Sequence, residues 1–204
     1  MDNTFNYSDE RFADIQMLRY RIDGFDELDA KRKAYVYYLA KATLSGRDIT
    51  TDQYGRFNLV IRKTLENVSR HCAANESDDF RQMEVYLKRV WFSNGIYHHY
   101  GCEKFVPGFS EAWFRAEVGA LPSSCFPIGQ YADAASLLGD ICPVMFDPAV
   151  LPKRVNQADG QDLVLTSACN FYEGVTQADV STRRNASMPR STTPRRATAS
   201  RRGG

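Results

Sequence analysis

Phe57-Asn58-Leu59-Val60-Ile61-Arg62-Lys63-Thr64-Leu65-Glu66-Asn67-Val68 decides how the chain is read, because Phe57, Val60, Ile61, Thr64, Leu65 and Val68 recur at i, i+3 and i+4 steps. At 3.6 residues per turn those side chains share one stripe, so the stretch is an amphipathic helix with its apolar face in a core. Downstream, Asn75 to Asp79 is a polar linker that ends in cap residues, and Phe80, Met83, Leu87, Val90 and Trp91 follow at the same helical spacing. Ser93-Asn94-Gly95 then stops the pattern. Ile96 to Phe109 is rich in Tyr, His, Gly and Phe with no regular period, an aromatic loop. Ser110 caps a short helix carrying Trp113, Phe114 and Val118, and Leu121 to Gln130 is broken by Pro and Gly.

Toward the N-terminus, Phe12, Ile15, Leu18 and Ile22 predict a helix over residues 9–22, capped by Ser8 or Asp9 and broken at Gly24. A second helix is expected from Asp26 or Asp29 to Gly46, with Tyr35, Tyr38, Leu39 and Ala42 on one face, packed on the first as a helical hairpin. Residues 131–150 are expected to form one or two short helices interrupted by Gly139 and Pro143. Asp162 to Asn170, with Leu163, Val164 and Leu165 in a row, is the one stretch where an extended segment competes with helix. The body is mainly α.

Length and composition agree with an ordinary globular protein: 204 residues, 43 % hydrophobic, with 26 Lys+Arg against 25 Asp+Glu. A chain of this size buries roughly two-thirds of its unfolded surface, so neither disulfides nor a metal are needed for folding. No apolar run approaches the roughly 20 residues that span a bilayer, and Met1 to Glu10 is polar and acidic, which disfavours membrane insertion and secretion. The five cysteines, 72, 102, 125, 142 and 169, are odd in number and widely spaced, without C-x-x-C, as expected of reduced thiols in the cytoplasm.

The near-neutral net charge joins two unlike segments. Residues 181–204 hold 7 Arg and no acid, while residues 1–180 hold 19 basic and 25 acidic side chains. The tail has no aromatic residue and no Leu, Ile or Val, so it cannot build a core and is expected to be disordered. Its arginines could neutralise phosphates, but nothing aromatic interleaves them to stack on bases, which disfavours a nucleic acid partner.

Chemistry-bearing motifs are absent from the sequence. A helical hydrolytic zinc site needs two His one turn apart beside a Glu that takes the proton of the metal-bound water. The three histidines are His71 and the adjacent His98 and His99, and neither of the pair is followed by Glu. There is no Gly-Lys-Ser/Thr phosphate loop, no G-x-G-x-x-G and no G-x-S-x-G. Asp78 and Asp79 face a helix start, where the macrodipole favours them. Catalytic and metal-ligating residues are therefore assigned as none, and no cofactor is expected in this chain.

The aromatic loop carries a resemblance. Tyr86-Leu87-Lys88-Arg89-Val90-Trp91-Phe92-Ser93-Asn94-Gly95-Ile96-Tyr97-His98-His99-Tyr100-Gly101, followed by Lys104-Phe105-Val106-Pro107, resembles the N-terminal region of dipeptidyl peptidase III, bacterial branch. Phe12 to Gln16, Leu18 to Tyr20, Lys41 to Ile49 and Asn170 to Thr176 are similar in the same order, across roughly residues 5–180. The resemblance implies a zinc exopeptidase that removes dipeptides from oligopeptide N-termini, built as two lobes around a cleft. Its metal is held by an H-E-x-x-G-H motif and a later Glu, both beyond the matched region. The chain is then the helical N-terminal part of the non-catalytic lobe (1–180), followed by a basic tail (181–204) of out-of-frame composition, and inactive alone. A separately encoded C-terminal part could complement it. Within the aromatic loop Asn94, Tyr97, His99 and Tyr100 are candidates for the substrate side of the cleft, against a role in packing between elements. The alternative reading is a stand-alone protein-interaction module whose basic tail binds anionic partners.

Overall fold

The computed structural model describes residues 5–187. In chain order it contains β1 (Ser8–Phe12), β2 (Ile15–Leu18), α1 (Ala30–Ser45), α2 (Arg47–Gln53), α3 (Asn58–His71), α4 (Asp78–Ser93), α5 (Glu111–Gly119), a 3-10 turn at Ser123–Cys125, α6 (Ala134–Phe146) and α7 (Gln177–Ser187). The chain is mainly helical.

α3 and α4 form the centre, and α5 and α6 pack beside them. Ile61, Leu65 and Val68 of α3, Met83, Leu87 and Val90 of α4, Phe114 and Val118 of α5, and Leu137, Ile141 and Met145 of α6 are all excluded from solvent. The starts are set by side-chain caps: the hydroxyls of Ser77 and Ser110 accept from the Phe80 and Trp113 N–H groups, and the Asp29 and Asp133 carboxylates from those of Arg32 and Ser136. α4 ends where Asn94 turns left-handed at φ 54°, its N–H donating to the Val90 carbonyl, and Gly95 follows at φ 150°. A Cβ at Gly95 would overlap the buried Asn58 amide, whose Oδ1 accepts from Ile96 N at 3.3 Å. Only glycine permits this close approach between α3 and the end of α4.

The N-terminal helix expected over 9–22 is replaced by an antiparallel hairpin, with Phe12 opposite Ile15 and Arg11 opposite Gln16. The same apolar spacing suits a two-residue turn at Ala13-Asp14, and the Gln16 amide donates to the Asp9 carbonyl at 3.0 Å across the ribbon. Ion pairs Glu10–Lys88 and Asp14–Arg89 dock it on α4. With no first helix present, the helical hairpin does not form. α1 has the expected bounds, but none of its residues is buried, Tyr35, Tyr38 and Leu39 included. α2 follows it directly, across Gly46, and was not anticipated.

Two further expectations are corrected. α6 is one continuous helix through Gly139 and Pro143, because the proline sits in its last turn and frees only the carbonyl of exposed Gly139. Asp162 to Asn170 is not a strand: the Asp162 carboxylate accepts from the N–H groups of Val164 (2.9 Å) and Leu165 (3.0 Å), and Thr166 N donates to the Asp162 carbonyl, closing a turn. α7 runs unbroken from Gln177 past the compositional border at residue 181 to Ser187. The expectation for residues 188–204 lies outside the described residues.

Candidate functional site

The Asn94–Tyr100 segment is the first arm of a tight turn. Tyr97 bridges to Lys104, Glu103 bridges to Lys153, and Phe105 N donates to the Ile96 carbonyl. Cys102, at φ 68°, reverses the chain, and its carbonyl accepts from Arg154 N. Cys169 N donates in turn to the Arg154 carbonyl and Asn170 N to that of Gln53, joining the turn through residues 153–154 and 168–170 to the end of α2.

Two long basic side chains hold this platform. The Lys104 ammonium donates to the carbonyls of Val144 (2.9 Å), Asp147 (2.5 Å) and Val150 (2.6 Å), capping the C-terminal end of α6, where the helix dipole is negative. Burial lowers its pKa, partly opposed by the Asp147 charge. Arg154 lies 4.5 Å over the Tyr54 ring and donates to the His99 carbonyl at 3.0 Å. Neither was singled out from the sequence, since their partners lie 40 or more residues away.

The four candidate residues separate into two kinds. Tyr97 is 2 % exposed and its hydroxyl donates to the Leu151 carbonyl at 3.0 Å; burial pushes that hydroxyl's pKa upward. Asn94 is half-buried and acts as the left-handed cap of α4. These two organise the loop. His99 and Tyr100 face outward, Tyr100 88 % exposed and the His99 ring edge-on to Phe92 at 5.0 Å. Through Phe92, His99 adjoins a groove of about 310 Å³ between the hairpin and α4, lined by Glu10, Phe12, Met17, Lys88, Trp91 and Phe92. The groove offers aromatic faces and the Glu10–Lys88 charge pair.

The donors of the segment do not fit a zinc ion. His98 Nδ1 accepts from the N–H groups of Gly101 (2.9 Å) and Tyr100 (3.3 Å), and His71 lies on α3 beside Cys125. Among the described residues no three of His, Cys, Asp or Glu converge. Also among the described residues, no helix is long and apolar enough to cross a membrane.

The sequence had one unread signal on α3. Asn58 and Arg62 fall on the apolar stripe with Ile61 and Leu65, and both are buried. The Arg62 guanidinium reaches the Asp48 carboxylate, the Thr51 hydroxyl at 3.0 Å and Glu66 at 3.4 Å, clamping α2 to α3.

No protein family's sequence profile matches the chain, and no curated protein matches it.

Proposed function

We propose that the chain is the N-terminal helical portion of the non-catalytic lobe of a dipeptidyl peptidase III-like protein, cytoplasmic, and without peptidase chemistry of its own. The observation that carries this reading is the order of the separated blocks, Phe12 to Tyr20, Lys41 to Ile49, Tyr86 to Pro107 and Asn170 to Thr176. In the folded chain these blocks fall largely on turns and helix ends: the hairpin turn, the α1–α2 junction, the left-handed cap of α4 and the start of α7. Such positions constrain residue type through backbone geometry. In the intact family zinc and the catalytic side chains come from a later motif, and an oligopeptide is the substrate. The groove beside His99 then belongs to the substrate-facing side of the lobe. The test is the DNA following codon 180: the proposal expects a frame encoding a further helical lobe and H-E-x-x-G-H, and three frames without that motif overturn it.

The exposed apolar surface of α1 favours a second reading, a stand-alone interaction module whose tail holds an anionic partner. Deleting residues 181–204 and titrating nucleic acid at two salt concentrations decides the tail's part in it. Unchanged binding removes that part.

A further inference from the structure

Two features lie outside the loop and groove: the uncovered α1 surface and a cysteine–histidine pair at the end of α3. The pair sets a thiol beside an imidazole whose Nδ1 is already held by a backbone carbonyl. Cys125 closes the 3-10 turn, and its Sγ lies 3.8 Å from both ring nitrogens of His71. His71 Nδ1 is 2.9 Å from the Asn67 carbonyl one helical turn back. A carbonyl can only accept, so that bond places the ring proton on Nδ1 and leaves Nε2, 3.8 Å from the sulfur, as the ring's acceptor. Both residues are open to solvent, His71 exposed and Cys125 half-buried.

The other thiols are placed differently. Cys142 is fully buried, with its pKa pushed up to about 11. Burial, and then the Glu117 carboxylate accepting its S–H at 3.1 Å, push Cys72 up to about 11. Burial raises Cys169 as well. Cys102 is half-buried, with Arg154 at 3.4 Å from its sulfur, and no histidine base adjoins it among the described residues. Among the described residues, Cys125 is the thiol with a histidine nitrogen within 3.8 Å of its sulfur.

We propose that Cys125 and His71 form a reactive thiol site that takes low-molecular-weight disulfides. The Cys125 proton passes to His71 Nε2, and the thiolate attacks one sulfur of the disulfide. The protein–sulfur bond forms as the disulfide bond breaks, and the departing thiolate recovers the proton from the imidazolium. The products are a mixed disulfide at Cys125 and one free thiol, with no other oxidant required. The apposition makes the site a point of reversible modification on the surface between α3 and α5.

The experiment treats the full chain with substoichiometric 5,5′-dithiobis(2-nitrobenzoate), follows the released thiol by absorbance, and locates the adduct by peptide mass spectrometry. Cys125 is expected to carry the first adduct. The C125S variant removes the fast phase, and H71Q slows it about tenfold at pH 7. A C102S variant keeps the fast phase. First modification at another cysteine, or an H71Q variant with unchanged rate, overturns the proposal. His71 is exposed, so H71Q leaves the fold intact, which matching circular dichroism verifies.

Discussion

Removing the Arg62 guanidinium tests how α2 is held on the helical core. The side chain is 3 % exposed, and its donors go to Asp48, to Thr51 Oγ1 and toward Glu66 Oε1. Deleting one member of a buried charged cluster costs about 3–5 kcal/mol when the remaining charges stay dry. Here they do not all stay dry. Asp48 is half-exposed and rehydrates, and Glu66 keeps the Trp91 indole N–H at 2.8 Å and Arg70 at 3.4 Å. The penalty therefore falls at the lower end, about 3 kcal/mol for Arg62→Met, which preserves most of the stem's packing. With a urea m-value of about 2 kcal/mol/M, the unfolding midpoint drops by about 1.5 M. Asp48→Asn removes a carboxylate that water can replace and costs under about 1 kcal/mol. Urea unfolding followed by circular dichroism checks both variants. An Arg62→Met midpoint within about 0.3 M of the parent, at unchanged m-value, refutes the clamp.

Other perturbations test the loop, the caps and the hairpin. Gly95→Ala combines a left-handed-side φ with overlap on the buried Asn58 amide, and should lower stability by about 2–3 kcal/mol in thermal or urea unfolding. Lys104→Met leaves three carbonyls at the end of α6 without their shared donor; a loss of about 1.5–3 kcal/mol is expected, with faster amide exchange confined to residues 97–105 and 144–150. Asp48, Asp133, Asp162 and Asp179 titrate below the ordinary 3.8 in the folded chain, through hydrogen bonds from the Arg62 side chain, Ser136 N, Leu165 N and the Thr176 side chain respectively. Their depressed values stabilise the fold above about pH 4, and that contribution is lost as pH falls through the folded values, so the unfolding midpoint should decline below pH 4 and be flat between 5 and 7. Glu10→Gln with Asp14→Asn undocks the hairpin from α4, raising proteolytic cleavage at residues 19–28 while the midpoint of the helical core moves by under about 1 kcal/mol.

What could be read from the sequence divides along physical lines. α3, α4 and α5 were legible because each joins a polar cap to an apolar stripe that meets another stripe, so local preference and packing agree. Phe12, Ile15 and Leu18 fit helical spacing equally well, but a turn with no Gly, Asn or Pro at Ala13-Asp14 gives no local sign of a hairpin. Tyr35, Tyr38, Leu39 and Ala42 of α1 were placed on one packed face by helical spacing, yet such a face is covered only where a neighbouring element exists, and the first helix expected to cover it is a hairpin instead. At the candidate site, Asn94 was legible as a helix stop, and the aromatic content marked Tyr97, His99 and Tyr100. Their division into a buried tyrosine and two exposed rings depends on Leu151, Phe92 and Arg154, contacts set by tertiary structure.

Dipeptide release in the resembled family uses a metal-held water, and we propose that this chain does not hold one: among the described residues no three His, Cys, Asp or Glu side chains converge. Incubating the purified full chain with zinc and a dipeptidyl-naphthylamide, and following naphthylamine release by fluorescence, tests it directly. No release above the uncatalysed rate is expected. Zinc-dependent turnover that a chelator abolishes contradicts it.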